Sequence, residues 1–118
     1  MKTYTVDILG TPYTVTVCHR CEDPALVECG GYCSAPNRRI VVDDMVEPSD
    51  LVELSEAARE AVVRQNLRHE LIHAFLAESG LADNWKHPKY GHDETFIDWF
   101  AIQYPKLQAA FAACGADR

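Results

Sequence analysis

The chain lacks any apolar run that approaches the roughly 20 residues a membrane-spanning helix needs. It also lacks a charged, then apolar, then small-residue leader: Met1-Lys2-Thr3-Tyr4 runs directly into the alternating Tyr4, Val6 and Ile8. A cytoplasmic protein with no membrane partner is therefore expected. Positive charge is scarce. Eleven Lys and Arg stand against 18 Asp and Glu, a net charge of −7, and no basic cluster is larger than Arg38-Arg39. A phosphate backbone would meet a repulsive field, so nucleic acid is not an expected partner. Internal repeats, linkers and low-complexity tracts are absent too. At 118 residues the chain is expected to form one domain, residues 1–118, with a modest core.

What is present divides into a β-rich first part and a helical second part. Lys2 to Leu9 and Tyr13 to Cys18 alternate apolar and polar positions on either side of Gly10-Thr11-Pro12, a hairpin signal. Residues 19 to 37 read as a Cys-, Gly- and Pro-containing connection, Arg39 to Asp43 as a short third strand, and Met45 to Asp50 as loop. From Ser55 a stretch free of Gly and Pro reaches Gly80. Ser55 suits the N-cap and Gly80 the stop. Within that stretch Val63, Leu67, Leu71 and Ala74 recur at helical spacing, and Ile72, Phe75 and Leu76 widen the stripe, so the helix should be mostly buried. A loop from Leu81 to Asp93 precedes a final helix, expected to start near Asp93, to be interrupted at Pro105 and to end near Cys114-Gly115.

Inside the long helix stands His69-Glu70-Leu71-Ile72-His73, an H-E-x-x-H motif. Side chains four apart on a helix stand one above the other, so both imidazoles can reach one Zn²⁺ with bonds of about 2.0–2.1 Å. Glu70 projects beside them, where its carboxylate can take a proton from water at the metal's open position. Shuffled chains of this composition would contain the pattern in roughly one or two per cent of cases, so context has to decide. Two His and a Glu on a buried helix are costly unless paired or bound to metal, which favours a site over a structural His/Glu network.

A third protein ligand must lie downstream. The metzincin pattern would need Gly at 76 and His at 79, where this chain has Leu76 and Ser79, and an inverted H-x-x-E-H is absent. Glu94-Thr95-Phe96-Ile97-Asp98 opens the second helical run and sets Glu94 and Asp98 on one face. The arrangement resembles that of thermolysin-like gluzincins, which implies Glu94 as third ligand and Asp98 as the hydrogen-bond partner that fixes a ligand imidazole's tautomer. The rival is His92, which opens a loose likeness to the H-G-x-x-F segment of SprT-like metallopeptidases, with Asp93 in place of the glycine. Without a metal, Glu94 would be an ordinary first-turn acid and Asp98 part of a solvated face.

Arg68 through Leu81, followed by Asp98 through Leu107, resembles small zinc metallopeptidase-like proteins of phages and prophages, and more distantly ImmA/IrrE-like metallopeptidases. Gly31-Tyr32-Cys33 through Ile40-Val41-Val42 adds a weaker likeness. The resemblance implies a minimal zincin fold and metal-dependent hydrolysis of a protein or peptide substrate. In such folds the strand before the active-site helix often borders the cleft, which makes Ile40-Val41-Val42 the candidate platform for an extended substrate.

Cys18, Cys21, Cys29 and Cys33 form a second constellation, C-x2-C-x7-C-x3-C. A second, structural Zn²⁺, disulfides and unligated thiols all remain open for it, and Cys114 reads as packing in the last helix. Tyr90, His87 and His92 sit on the loop between the two helices, where a donor to a tetrahedral intermediate could lie. The expectation is thus an α+β zincin-like domain: a small N-terminal antiparallel sheet, a hairpin plus an edge strand, packed on the H-E-x-x-H helix and a C-terminal helix. It would be a metallopeptidase with catalytic Glu70 and with Zn²⁺ on His69, His73 and Glu94. The competing expectation is a non-catalytic regulatory or structural module held together by zinc.

Overall fold

The computed structural model describes residues 1–46, 54–82, 94–113 and 117. Strand β1 (Lys2–Ile8) pairs antiparallel with β2 (Thr11–Cys18), with Ile8 opposite Thr11. The two-residue turn is therefore Leu9-Gly10, one position earlier than the sequence suggests. Both residues have positive φ, 50° and 90°, as a type I′ turn requires. Gly10 meets that demand without strain, and its N–H donates to the Asp7 carboxylate at 3.1 Å. Pro12 lies in β2 opposite Asp7, ahead of the point where the other neighbour begins to pair at Thr14, so its missing N–H breaks no ladder bond.

Two short 3₁₀ turns, Arg20–Glu22 and Pro24–Val27, lead to β3 (Gly31–Ser34) and β4 (Arg39–Asp43). The sheet order is β1-β2-β4-β3, with β4 parallel to β2 and antiparallel to β3. The architecture is α+β, but the sheet is mixed and four-stranded. The expected third strand, Arg39–Asp43, is interior and has no free edge. The connection after Cys18 crosses the sheet and places β3 outermost, so that β4 enters between β3 and β2 in the direction of β2.

One face of the sheet carries Ile8, Tyr13, Val15, Ile40 and Val42, all fully buried, under helix α1 (Glu56–Glu78). The expected stripe of Val63, Leu67, Leu71 and Ala74 is what α1 sets against them. Fully burying such a side chain is worth about 1.5–3 kcal/mol, so this layer fixes which way α1 faces. The widening residues behave differently: Leu76 is buried, but Phe75 is 42% exposed and α1 is half-buried rather than engulfed. The Ser55 hydroxyl accepts the N–H of Ala58 at 3.2 Å, and Gly80 (φ 80°) follows the last turn, so both expected ends of α1 hold. On the other face of the sheet Cys18, Val41 and Tyr32 pack with Leu26 from the second 3₁₀ turn.

Helix α2 (Glu94–Ala113) lies against α1 and runs through Pro105 without a break. The expected interruption does not occur. Proline removes the donor for the carbonyl four residues earlier, here that of Ala101, and this carbonyl accepts instead from Arg68 Nε of α1 at 2.7 Å. Among the described residues no helix is long and apolar enough to cross a membrane.

Candidate metal centre

The His pair on α1 converges as the i, i+4 spacing dictates, with His69 Nε2 and His73 Nε2 3.0 Å apart. Glu94, the first residue of α2, reaches both: Oε2 is 3.1 Å from His69 Nε2 and Oε1 3.0 Å from His73 Nε2. One turn further along α2, Asp98 Oδ1 stands 2.6 Å from His69 Nδ1. Among the described residues this is the group of three His, Cys, Asp or Glu side chains able to share one ion.

The chemistry of this donor set fits a metal. An ionised carboxylate only accepts, so the contact with Asp98 puts the His69 proton on Nδ1. In the neutral imidazole Nε2 then offers a lone pair. That lone pair faces the Glu94 carboxylate at 3.1 Å and another imidazole nitrogen at 3.0 Å. His69 Nε2 and the Glu94 carboxylate both accept, so something positive must lie between them, either a proton on one of the rings or a metal ion. A tetrahedral zinc with bonds of about 2.0–2.1 Å sets its ligand atoms roughly 3.3–3.4 Å apart; the 3.0 Å between the two imidazole nitrogens is near that, and the three ligand atoms lie within 4.8 Å of one another.

Glu70 lies beside this cluster. Its side chain is buried against the sheet, with Oε1 4.0 Å from His69 Nε2. Burial raises its pKa from 4.5 to about 7; the Glu94 and Asp98 charges push the same way and His69 pulls it down. In the metal-free site the carboxyl therefore exchanges its proton near neutrality, and a cation bound beside it would lower that value. Its placement depends on β3. A Cβ on Gly31 would stand 3.3 Å from Glu70 Cγ and 3.0 Å from the Val41 carbonyl oxygen, so any larger residue would make the helix or the strand give by a few tenths of an ångström.

Beside the cluster opens a cleft of about 230 Å³ lined by Cys29, Gly30, Gly31, Asn66, His69, Glu70 and Asp98. Gly30, Gly31 and Asn66 were not foreseen as site residues. Their signals were present: a diglycine ahead of a strand marks close backbone approach, and Asn66 shares a helix face with His69 and Glu70.

The proposed platform Ile40-Val41-Val42 is displaced. It lies in β4, whose two sides are taken by β2 and β3, and the strand edge next to α1 is that of β3. Asp43 N–H donates to the Gly30 carbonyl at 3.0 Å. By antiparallel alternation the N–H and C=O of Gly31 and Cys33 then face away from β4.

The four N-terminal cysteines are not gathered. Cys18 lies opposite Asp43, and Cys33 opposite Ile40, so their side chains leave opposite faces of the sheet. Cys21 and Cys29 are exposed, and the Cys29 thiol donates to the Ala25 carbonyl at 3.1 Å. Burial pushes the Cys33 thiol up to about 12, with Glu70 and Glu78 adding to the effect, so it stays protonated at neutral pH. His87, Tyr90, His92 and Cys114 lie outside the described residues. No protein-family model, curated protein or solved structure matched this chain.

Proposed function

We propose that this chain is a zinc-dependent metallopeptidase in which His69, His73 and Glu94 hold the metal and Glu70 is the general base. The observation that carries the reading is that His69 Nε2 and His73 Nε2 stand 3.0 Å apart and each meets a different Glu94 oxygen, at 3.1 and 3.0 Å, so that one ligand atom from each residue lies within 4.8 Å of the others. When bound, zinc supplies Lewis acidity, which polarises a carbonyl and acidifies water.

The chain's own residues have separable tasks. Asp98 holds the His69 ring with its Nε2 lone pair aimed at the cluster. Glu70 takes the proton of the attacking water on its carboxylate and returns it to the departing amine. The outward N–H and C=O groups of Gly31 and Cys33 offer an extended peptide a strand to pair with, beside the cleft, in the manner of β-strand addition. The absence of side chains at Gly30 and Gly31 keeps that approach open.

The test is Glu70→Gln, which preserves shape and leaves the three metal-holding side chains in place. Zinc content and folding should survive, while loss of a positioned base typically lowers turnover about 10²–10⁴-fold. Wild type and the variant are expressed in the same cells and new protein N-termini are mapped. Termini that appear only with wild type identify the substrate. Matching maps from two zinc-loaded proteins would overturn the peptidase reading in favour of a metal-stabilised module.

A further inference from the structure

Proline in a helix interior is strongly destabilising, because it deprives the carbonyl four residues back of its donor and its ring pushes that carbonyl aside. In α2 that carbonyl is Ala101's, and the residue is 1% exposed, so water cannot easily make good the loss. The donor that does so comes from outside the helix: Arg68 Nε, at 2.7 Å. Arg68 directly precedes His69 on α1, and Ala101 lies on the same stripe of α2 as Glu94 and Asp98, seven and three residues earlier.

We propose that Arg68 is a positioning residue for the metal centre: by donating to the carbonyl that Pro105 leaves open, it sets the register of α2 on α1 and so delivers Glu94 and Asp98 to His69 and His73. The inference rests on the metal reading of that cluster. A helix advances about 1.5 Å per residue, so a slip of a single residue would carry Glu94 out of reach of both imidazoles. Proline makes the latch specific. A helix without it would have satisfied the Ala101 carbonyl internally, offering Arg68 no preferred level along α2. The bond also has direction, since the guanidinium fork is rigid and the open carbonyl marks a single level on the helix.

The experiment is a cycle of Arg68→Met, Pro105→Ala and the double variant, with zinc affinity read by competition against a chromogenic chelator. The absorption bands of the cobalt(II)-loaded proteins report ligand geometry alongside. Arg68→Met should weaken zinc binding about 10–100-fold, as loss of a group that orients a ligand usually does, and should perturb the cobalt bands. Pro105→Ala closes the Ala101 carbonyl within α2, takes away the preferred level for Arg68 and should weaken zinc binding in the same direction. The double variant should bind no more weakly than Arg68→Met, because the two changes break one and the same bond. If Arg68→Met does not fold, Arg68→Lys takes its place in the cycle.

Wild-type affinity in either single variant, or losses that multiply in the double variant, would overturn the latch. Failure of wild type itself to bind zinc or cobalt would be a failure of the metal reading instead. Wild type and Arg68→Met would then be compared by hydrogen exchange of the α2 amides, where faster exchange in Arg68→Met still supports the latch and no difference removes it.

Discussion

At the scale of single residues, the proposed zinc site separates side chains that could hold an ion from those that would orient or react. Glu94→Ala removes one whole arm of the group that spans 3.0–3.1 Å, and should lower zinc affinity far more than His92→Ala. Asp98→Ala touches only the His69 Nδ1 side and should fall between them, about 10–100-fold, in the same chelator competition. Glu70 also has a pH signature in metal-free protein. Its folded pKa, about 7, lies above the ordinary 4.5, so the native state holds a proton that the unfolded chain has released between those values. Stability from this group is full below pH 4.5 and declines as pH rises to about 7. Urea unfolding of metal-free Glu70→Gln should therefore show it more stable than wild type at pH 8, by up to roughly 3 kcal/mol, with the gap closing in acid. A gap independent of pH would mean that Glu70 is not destabilised by its burial.

At the scale of elements, the contact between β3 and α1 decides whether Glu70 can reach the cluster. Gly31→Ala would insert a methyl 3.0 Å from the Val41 carbonyl oxygen and 3.3 Å from Glu70 Cγ, groups held by the sheet and the helix. Overpacking of this kind costs about 1–3 kcal/mol, to be read by denaturant unfolding, and should lower turnover beyond what the loss of folded protein explains. Gly30→Ala meets the Asn66 amide at 2.5 Å, the far end of a side chain that can swing aside. It should be milder in stability. Equal destabilisation by the two would contradict the distinction between a backbone limit and a movable side chain.

At the scale of the whole molecule, the proposed zinc would tie the C-terminal helix to the helix that lies on the sheet. Native protein should carry one zinc per chain by mass spectrometry, and Cys21→Ser with Cys33→Ser should leave that count unchanged, since Cys18 and Cys33 leave opposite faces of the sheet. A second ion lost in the double variant would revive the cysteine site. Zinc at about 100 times its dissociation constant should add ~2.7 kcal/mol of stability, removed by chelator and seen as a fall in Tm. Much of this protein is written in contiguous residues. The ends of α1 at Ser55 and Gly80, its Val63-Leu67-Leu71-Ala74 stripe, the first hairpin and the pairing of His69 with His73 all follow from spacing along the chain. Glu94 and Asp98 were legible because they too keep a helical interval, in a likeness to a known arrangement. Other features belong to no window of sequence. Strand β3 is four residues long, too short for a period to declare itself, and the parallel pairing of Thr14 with Arg39 joins segments far apart in the chain. Whether Pro105 breaks α2 depends on a donor from another helix, and whether Gly31 admits Glu70 depends on which strand lies at the sheet's edge. Local spacing chose the side chains that can hold an ion; packing of the sheet on α1, and of α1 on α2, decided which of them meet.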